Sequence, residues 1–562
     1  METVSKEQKT DRLLALVFIV FTVASIFCRL FYGWDQDESY NILLAQRIAD
    51  GKIIFKDMWD LHQTAAIFPS VFCRAYVGIF HTTDGIAVFL RGMSVILQII
   101  VAVYTFFVVR RFYGDKCAFC AGVVVANLLP RATQETEYST VAVWGCLICS
   151  LLFFEMKRRG VNYGKIIIAA IFYAAAVYSY PTLIITVPFV ALALILVISD
   201  KRAEGFKIAL IFFGVCLVCA GILFAYLFSH MTVEEFLKIV GELGKNDDHL
   251  VYFKGFWPVY AYKSVIRIVA MIAISAMVKF AMKRMFKVDT QIINVFFILT
   301  TLFVVILNLI GIRPSGPFGL LERYIGAVIL AAFSGIEKED RDFTLILGGM
   351  GIFVFLGVIM GSNLGMNENA MFLELSMICM VVLCVKKLEG LKAKELFIGR
   401  TAIVVFILGI AFSTGYFVRI DSTKPANIFQ CTAVMEKGPM KGIGVFPEQK
   451  ERYDALAASA ASITESGRLY TLLTNDAITY YFVNGDYISA QYAATAQYYN
   501  EQWVDFYTKF DRKLPDEMLV NKYNYPELSE LEKTVFGKWV MTEYVLDSQK
   551  SDDSFWVFGL SN

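Results

Sequence analysis

Residues 13–40 have the sequence LLALVFIVFTVASIFCRLFYGWDQDESY, in which a long apolar run ends directly in a group of acids. The run can cross a bilayer as one helix, since a spanning helix needs about 20 apolar residues. Asp35, Asp37 and Glu38 follow it at once. Acids at the mouth of a helical membrane bundle usually line a cavity that does chemistry or carries ions. This junction is therefore the first candidate for a functional site.

The composition of the chain also indicates a membrane protein. Its 562 residues are 57% hydrophobic and 15% aromatic, which is too apolar for a soluble globular protein. The formal net charge is +1 and the basic residues form no single patch, so no nucleic-acid partner is predicted. The 11 cysteines lie mostly inside apolar runs and indicate no disulfide framework.

Apolar segments of spanning length recur as far as residue 417. We predict a polytopic α-helical membrane protein with about 13 transmembrane helices. The predicted spans lie near residues 13–33, 86–109, 116–130, 139–156, 164–180, 182–199, 207–229, 259–281, 291–311, 321–336, 343–361, 370–385 and 398–417. Clusters of Lys and Arg fall in alternate loops, so we expect those loops and the N-terminus on the cytoplasmic side of a plasma membrane. The first outer loop is then residues 34–85.

The composition changes to polar and aromatic after the last span. We predict a transmembrane domain over residues 1–417 and a small extracytoplasmic α/β domain over residues 418–562. Apolar runs at 469–473, 517–520 and 555–560 predict strands, and residues 476–482 predict a helix begun by an Asn-Asp cap. A series of tyrosines is expected to pack the strands onto the membrane domain, with stacking on sugars as the alternative. These are Tyr480, Tyr481, Tyr487, Tyr492, Tyr498 and Tyr499.

The first outer loop contains several short motifs in a fixed order. Asp37-Glu38 come first, followed by Gly51, the aromatic-x-Asp element 55–57 and His62-Gln63. This order resembles the C-type (GT-C) glycosyltransferase superfamily, in particular the bacterial branch similar to protein O-mannosyltransferases and the aminoarabinose transferases of lipid A. The proline pair that follows the His in those enzymes is absent, and residues 63–64 are Gln and Thr.

The resemblance continues along the membrane domain. Glu135 and Glu137, in the next outer loop, are similar to the second acidic position of the family. The segment Glu322-Arg323-Tyr324 resembles its late Arg-Tyr motif at the start of a span. The resemblance implies an integral-membrane glycosyltransferase of the hexosyl or pentosyl type.

The predicted chemistry follows from the location of the site. Nucleotide sugars are absent outside the cytoplasm, so the expected donor is a sugar on a polyprenyl phosphate whose tail stays in the membrane lipid. A leaving phosphate is a weak base and needs a cation rather than a proton. One carboxylate is then sufficient, and we predict that Asp37 acts as general base in a single inverting displacement, with Glu38 assisting it.

Further residues are assigned to the two substrates. A guanidinium holds two phosphate oxygens at once, so Arg323 is the first candidate for the donor phosphate, followed by Arg313 and Arg91. The predicted site-shaping residues on the acceptor side are Asp35, Tyr40, Asp57, His62 and Glu137. Glu137 is preferred to Glu135 because it adjoins the next span and only one of them would face the cavity from a helix. A divalent cation, Mg²⁺ or Mn²⁺, is left open, with Asp37, Glu137 and His249 as candidate ligands.

Other classes of function stay open at this point. A transporter or lipid flippase would use the acidic cluster for ion or substrate coupling, but it would be expected to show two halves with interrupted helices. A scaffold that displays the C-terminal domain gives no reason for acids at the membrane face. The acids also have a structural interpretation, since Asp and Glu favour the first turn of a helix. The acceptor is undetermined and is a glycan, a lipid or a protein hydroxyl.

Overall fold

The structure is a computed structural model that describes most of the chain. The described residues are 2–60, 62–129, 134–243, 257–310, 326–327, 329–330, 336–361, 370–418, 426–493, 501–510 and 512–561. Up to residue 416 they are mainly helical. The first helices are α1 (Glu2–Phe31), α2 (Gln36–Ala49), α3 (Ile67–Phe80), α4 (Ile86–Asn127), α5 (Tyr138–Arg159), α6 (Tyr163–Ser179) and α7 (Pro181–Ile198). The later ones are α8 (Arg202–Phe228), α9 (Val233–Leu243), α10 (Trp257–Phe286), α11 (Ile292–Leu309), α12 (Lys338–Ile359), α13 (Glu374–Lys386) and α14 (Ala393–Tyr416).

The described helices confirm a polytopic helical membrane protein. Eight of them are long and apolar enough to cross a membrane: α1, α4, α5, α7, α8, α10, α12 and α14. Three further apolar helices, α3, α6 and α11, are shorter. The predicted spans 86–109 and 116–130 are both in α4, which is interrupted at Gly114 with φ 78° and ψ 178°. Only glycine adopts such a conformation readily, so it separates the two spans. The predicted span 321–336 lies largely outside the described residues.

α1 is held against its neighbours by close backbone approach and by hydrogen bonds. It packs on α4 and α14. A Cβ atom at Gly415 would come within 2.7 Å of the Cα of Ser25, so the close approach of the two backbones at this point requires a residue without a side chain. Next to this contact, the hydroxyls of Ser25 and Thr414 are 3.1 Å apart. Small and hydroxylated residues are the usual means of packing membrane helices closely. This contact fixes the end of α1 from which the acids emerge.

The C-terminal region is an α/β domain, as predicted. Two short antiparallel pairs come first, β1 (Phe417–Val418) with β2 (Ala426–Asn427) and β3 (Ala433–Val434) with β4 (Gly444–Val445). A five-stranded sheet follows, in the order β6-β5-β7-β9-β8. Its strands are β5 (Leu469–Leu473), β6 (Asp486–Tyr487), β7 (Glu517–Asn521), β8 (Tyr544–Leu546) and β9 (Phe555–Leu560). β5 is parallel to β6 and β7, and the other pairs are antiparallel.

Helices complete this domain. They are α15 (Pro447–Ile463), α16 (Glu501–Thr508), α17 (Leu528–Glu532) and α18 (Val535–Glu543). The three strands predicted from apolar runs correspond to β5, β7 and β9, which are confirmed. The helix predicted at 476–482 is a short 3₁₀ helix, Ala477–Phe482, preceded by Asp476.

The first loop and the C-terminal domain share one hydrophobic core. Trp59 of the loop packs edge-on against Phe506 and Phe510 of the C-terminal domain, with ring centroids 5.2 and 4.9 Å apart. Its backbone N–H donates to the carbonyl of Ala490 at 2.7 Å. At the other end of the loop, the Gln36 amide donates to the carbonyl of Asn475 at 2.5 Å. The loop is therefore supported by the C-terminal domain along much of its length.

Arg47 joins α2 to the tyrosines of the C-terminal domain. Its Nε donates to the Tyr492 hydroxyl at 3.0 Å and its Nη2 donates to the Tyr487 carbonyl at 2.8 Å. The guanidinium carbon lies 4.2 Å from the centre of the Tyr487 ring, within cation–π range. The Tyr481 hydroxyl donates to the Ile42 carbonyl at 3.3 Å. These tyrosines thus pack against the first loop, while Tyr498 and Tyr499 lie outside the described residues.

Replacing Arg47 with Met is expected to destabilise the protein by about 2–3 kcal/mol. The change removes two hydrogen bonds and a cation–π contact and leaves the Tyr492 hydroxyl without its partner. Thermal melting of the purified protein measures the effect. The matched control is Arg452→Met, since Arg452 stacks on Tyr523 and pairs with Asp476, which both belong to the C-terminal domain. If Arg47→Met lowered the melting temperature no more than Arg452→Met does, Arg47 would not hold α2 in place.

Candidate active site

The acids after the first span form the N-terminus of α2. Asp35 is the N-cap of this helix, with extended backbone angles of φ −111° and ψ 147°, and its Oδ1 accepts from the N–H of Asp37 at 2.8 Å. Asp37 and Glu38 occupy the first turn, where the helix dipole favours negative charge. Asp35 is 5% exposed and Asp37 is half-buried. Asp35 therefore has the structural role of a helix cap, although its side chain is buried rather than exposed to solvent.

Glu38 is held by a buried ion pair. Its two oxygens accept from Nε and Nη2 of Arg91, both at 2.6 Å. The same guanidinium donates to carbonyls in the last turn of α1 and just after it: Nη1 to Arg29 and Leu30 at 3.1 and 3.2 Å, and Nη2 to Gly33 at 2.5 Å. Glu38 is 1% exposed and Arg91 is 4% exposed. Arg91 thus fastens the first turn of α2 to the end of α1.

A second acid lies beside this cluster. Glu135 is 5% exposed and lies on the segment that leads into α5. Burial raises the pKa of Glu135 well above its usual range, and four neighbouring carboxylates raise it further. These belong to Glu38, Glu137, Asp35 and Asp37. The neutral form of Glu135 is therefore favoured, which limits the negative charge around Asp37.

Glu137 has a local role at the start of α5. It is the N-cap residue of that helix, and its carboxylate accepts from the hydroxyls of Ser139 at 3.3 Å and Thr140 at 3.5 Å. The preference for Glu137 over Glu135 assumed a helix, but residues 134–137 are not helical. Glu135 and Glu137 are both buried, and the charges of Asp35 and Asp37 help to raise the pKa of Glu135.

Tyr40 connects Asp37 to a buried acid that the sequence analysis did not single out. Tyr40 is one turn after Asp37, and its hydroxyl bonds to the carboxylate of Asp60. Asp60 is 1% exposed and also accepts from the backbone N–H of Tyr492, while its Oδ2 atom has no hydrogen-bond partner among the residues that the structure describes. Burial raises the pKa of Asp60 to about 7, and burial followed by the charge of Asp60 raises the pKa of Tyr40. The Asp60 carboxyl is therefore a buried group that titrates near neutral pH.

The raised pKa of Asp60 predicts a pH-dependent stability. The folded protein holds a proton on Asp60 between about pH 4 and pH 7, whereas the unfolded chain has already lost it. The free energy of unfolding should therefore fall as pH rises through this window, by up to about 4 kcal/mol from this group. Melting temperatures at pH 5 and pH 8 measure the effect, and Asp60→Asn should reduce the difference.

The matched control for this prediction is Asp57→Asn. Asp57 belongs to the same loop and accepts from the N–H of Ile53 at 2.7 Å, an interaction that Asn also makes. It should leave the pH dependence of melting unchanged. If Asp60→Asn and the wild type lose the same stability between pH 5 and pH 8, Asp60 is not the titrating group.

The His62 segment contacts the membrane helices. The His62 ring stacks on Tyr138 at 3.9 Å with an angle of 6° between the planes, and Tyr180 is 5.7 Å from Tyr138. The Thr64 hydroxyl donates to the carbonyl of Tyr178 at 2.7 Å. Because Tyr138 follows Glu137 directly, His62 lies beside the second acidic segment. The first loop therefore extends from the C-terminal domain to the start of α5.

A polar network lies inside the membrane helices next to the acids. Arg29, 6% exposed, donates to the carbonyls of Ser25 and Ala126 and to the Gln98 amide at 3.1–3.4 Å. Gln134 donates to Ser94 at 3.0 Å. A cleft of about 20 Å³, room for a water molecule, is bordered by Arg29, Gln134 and the pair of Glu38 with Arg91. The part of the helical bundle next to the acidic cluster therefore contains neutral and cationic polar side chains.

The described residues do not form a metal site. No group of three or more His, Cys, Asp or Glu side chains among them is arranged to hold an ion. Glu38 is paired with Arg91, and Glu137 accepts from the hydroxyls of its own helix. His249, the third candidate ligand, lies outside the described residues.

The predicted site residues fall into three groups. Asp35, Asp37, Glu38 and Arg91 are brought together with Glu135, and Tyr40 and His62 border them. Asp57 instead stabilises a turn within the loop. Arg313 and Arg323 lie outside the described residues. Arg47 and Asp60 were not singled out from the sequence, although each is a charged residue in an otherwise apolar stretch, ILLAQRIA and MWDL.

Comparisons with known proteins give limited similarity. No family model and no curated protein matches the chain. Among solved structures it is similar to the oligosaccharyltransferase of Archaeoglobus fulgidus in complex with zinc and sulfate, with 12% identity, a TM-score of 0.49 and coverage of 97% of this chain and 73% of that one. It is also similar to ArnT from Cupriavidus metallidurans, bound to undecaprenyl phosphate and in the apo state, each with 14% identity, a TM-score of 0.43 and 98% coverage of both chains. At these identities and TM-scores the similarities decide neither the fold nor the reaction.

Proposed function

We propose that this chain is an integral-membrane glycosyltransferase of the C type that moves a sugar from a polyprenyl-phosphate donor to an acceptor hydroxyl. The observation that carries the proposal is the arrangement of carboxylates at the start of α2. Asp35 caps the helix, Glu38 is paired with Arg91, and Glu135 is buried with a raised pKa. Asp37 is the half-buried carboxylate of this group and adjoins the end of the first span.

The proposed reaction is a single displacement at the anomeric carbon. The acceptor hydroxyl oxygen forms a bond to that carbon while the bond from the carbon to the phosphate oxygen breaks. Asp37 takes the hydroxyl proton, and polyprenyl phosphate leaves with the electron pair of the broken bond. Attack opposite to the leaving group inverts the anomeric configuration. The phosphate needs no proton because it is a weak base, so a second catalytic acid is unnecessary.

The neighbours of Asp37 have positioning and electrostatic roles in this proposal. Glu38 and Arg91 fix the first turn of α2, which holds the Asp37 carboxylate in place at the end of the first span. All three nitrogens of Arg91 already donate to Glu38 or to backbone carbonyls. We therefore assign donor-phosphate binding to Arg323, with Arg313 as the second candidate, and positioning to Arg91.

The location and the acceptor are also part of the proposal. The site would face the outer side of the plasma membrane, with the N-terminus in the cytoplasm and the C-terminal domain outside. That domain supports the first loop through Arg47 and Trp59, so it belongs to the active unit rather than to a separate module. Transfer of a hexose or pentose to a glycan, lipid or protein hydroxyl, as in the O-mannosyltransferase and ArnT-like branch, is the specific form we propose.

A reconstituted assay separates a transferase from a flippase. The full chain is placed in liposomes that contain a polyprenyl-phosphate sugar labelled in both the lipid and the sugar, together with a mixture of acceptors. A transferase separates the two labels by breaking the sugar–phosphate bond. A flippase moves the doubly labelled lipid across the bilayer intact, and that result would replace the proposed function.

A further inference from the structure

An apolar groove lies where the end of α10 meets the start of α14. Its volume is about 430 Å³. α14 ends beside α1 and the acidic site, so the groove is at the opposite end of that 24-residue helix. The lining side chains include Met282, Phe286, Val288, Lys394, Phe397 and Ile398. The groove is therefore distinct from the candidate active site.

The groove opens onto the surface that faces lipid. Phe286 is 63% exposed and Phe397 is 71% exposed, although both are large apolar side chains. α10 continues this surface, since Val269 and Phe280 are 60% and 64% exposed on the same spanning helix. Exposed apolar side chains on a membrane-spanning helix contact acyl chains. The apolar part of the groove is therefore suited to an acyl chain.

The rim of the groove is positively charged. Lys283 and Lys279 share Asp289, at 2.6 and 3.7 Å. Lys394 lines the groove, and Lys287 lies between the lining residues Phe286 and Val288; neither has a carboxylate partner within 4 Å among the residues that the structure describes. The rim thus has an excess of positive charge directly beside an apolar groove. Basic side chains at the end of a spanning helix attract anionic lipid head groups.

We propose that this groove binds one anionic phospholipid. An acyl chain would lie against Phe286 and Phe397, while Lys394 and Lys287 would hold the phosphate. The Lys and Arg distribution of the sequence predicts that this end faces the cytoplasm, where anionic lipids are concentrated. The proposal concerns a lipid site away from the acids, so it does not depend on the glycosyltransferase reaction.

The backbone at Lys287 allows a test that separates binding from folding. Lys287 has φ 54°, in the left-handed region, directly after α10. The next residue closes the helix, since the N–H of Val288 donates to the carbonyl of Met282 at 3.4 Å. Glycine is the preferred residue at such a position because it has no Cβ. Lys287→Gly should therefore remove a cation and relieve backbone strain at the same time.

The experiment measures lipid binding to the full-length protein. Purified, delipidated protein is titrated with phosphatidylglycerol or phosphatidylcholine and analysed by native mass spectrometry. The wild type should retain one phosphatidylglycerol in preference to phosphatidylcholine. The Lys287→Gly/Lys394→Gln variant should bind it about tenfold or more weakly, because each basic residue near the surface contributes about 1 kcal/mol. In phosphatidylcholine alone, Lys287→Gly should melt at or above the wild-type temperature.

The lipid-binding experiment has a matched control variant and defined results that would contradict the proposal. Arg159→Gln/Lys201→Gln removes two exposed cations, at the end of α5 and just before α8, on the same predicted side and should leave phosphatidylglycerol binding unchanged. Equal retention of the two lipids, or an equal loss in the control variant, would overturn the proposal. Displacement of bound phosphatidylglycerol by inorganic phosphate alone would show a phosphate site rather than a lipid site.

Discussion

Asp37→Asn is expected to reduce sugar transfer by about 10²–10⁴-fold, the contribution of a positioned general base. Asn has nearly the same shape as Asp but cannot accept the acceptor proton. Asp37 is half-buried at the start of α2, and it is not the N-cap residue. The fold should therefore be unchanged. Initial rates of release of polyprenyl phosphate, together with thermal melting of both proteins, measure the two effects separately.

Asp35→Asn provides the matched control for this prediction. Asn is as good an N-cap as Asp, so the hydrogen bond to the Asp37 N–H is preserved. Its activity should stay close to that of the wild type. If Asp35→Asn were as inactive as Asp37→Asn, or if Asp37→Asn kept most of its activity, Asp37 would not be the base.

Arg91→Met is expected to destabilise the protein by about 3–5 kcal/mol, because it leaves Glu38 as a buried charge without a partner. It also removes donors from the carbonyls of Gly33, Arg29 and Leu30. Thermal melting and the yield of folded protein in mild detergent are the measurements. The effect should be larger than that of Arg47→Met.

A double variant separates stability from activity. Glu38→Leu combined with Arg91→Met removes both charges, and an apolar pair of similar volume is often as stable as a buried ion pair. The double variant should regain most of the lost melting temperature but little of the transfer activity. If it is no more stable than Arg91→Met, the cost of the single change does not come from the unpaired carboxylate. If it is fully active, the pair does not position Asp37.

The sequence predicts the membrane helices well because their signal is local. Length and apolar composition are read within each segment, and the strands β5, β7 and β9 are found for the same reason. The acidic start of α2 is also local, since an N-cap and its first turn are four consecutive residues. The predicted spans 86–109 and 116–130 are likewise found as the two parts of α4, which meet at the non-helical Gly114.

The partners of the acids depend on packing between distant segments. Arg91 is 53 positions from Glu38 in the sequence. The sequence around Arg91 does not distinguish an arginine in an ion pair from an arginine that binds phosphate. Burial raises the pKa of Asp60, although the N–H of Tyr492 opposes this shift, and neither effect is visible in the sequence around residue 60. The choice between Glu135 and Glu137 required the backbone of residues 134–137, which is not helical.

The most direct test of the proposed function is the anomeric configuration of the product. Full-length protein in lipid is incubated with a panel of polyprenyl-phosphate sugars of known configuration and with candidate acceptors, and the new linkage is determined by NMR. Transfer from at least one donor, with inverted configuration and with loss of product in Asp37→Asn, is the expected result. Transfer with retained configuration would contradict the single displacement, and no cleavage of any donor by a folded wild-type protein would contradict the glycosyltransferase itself.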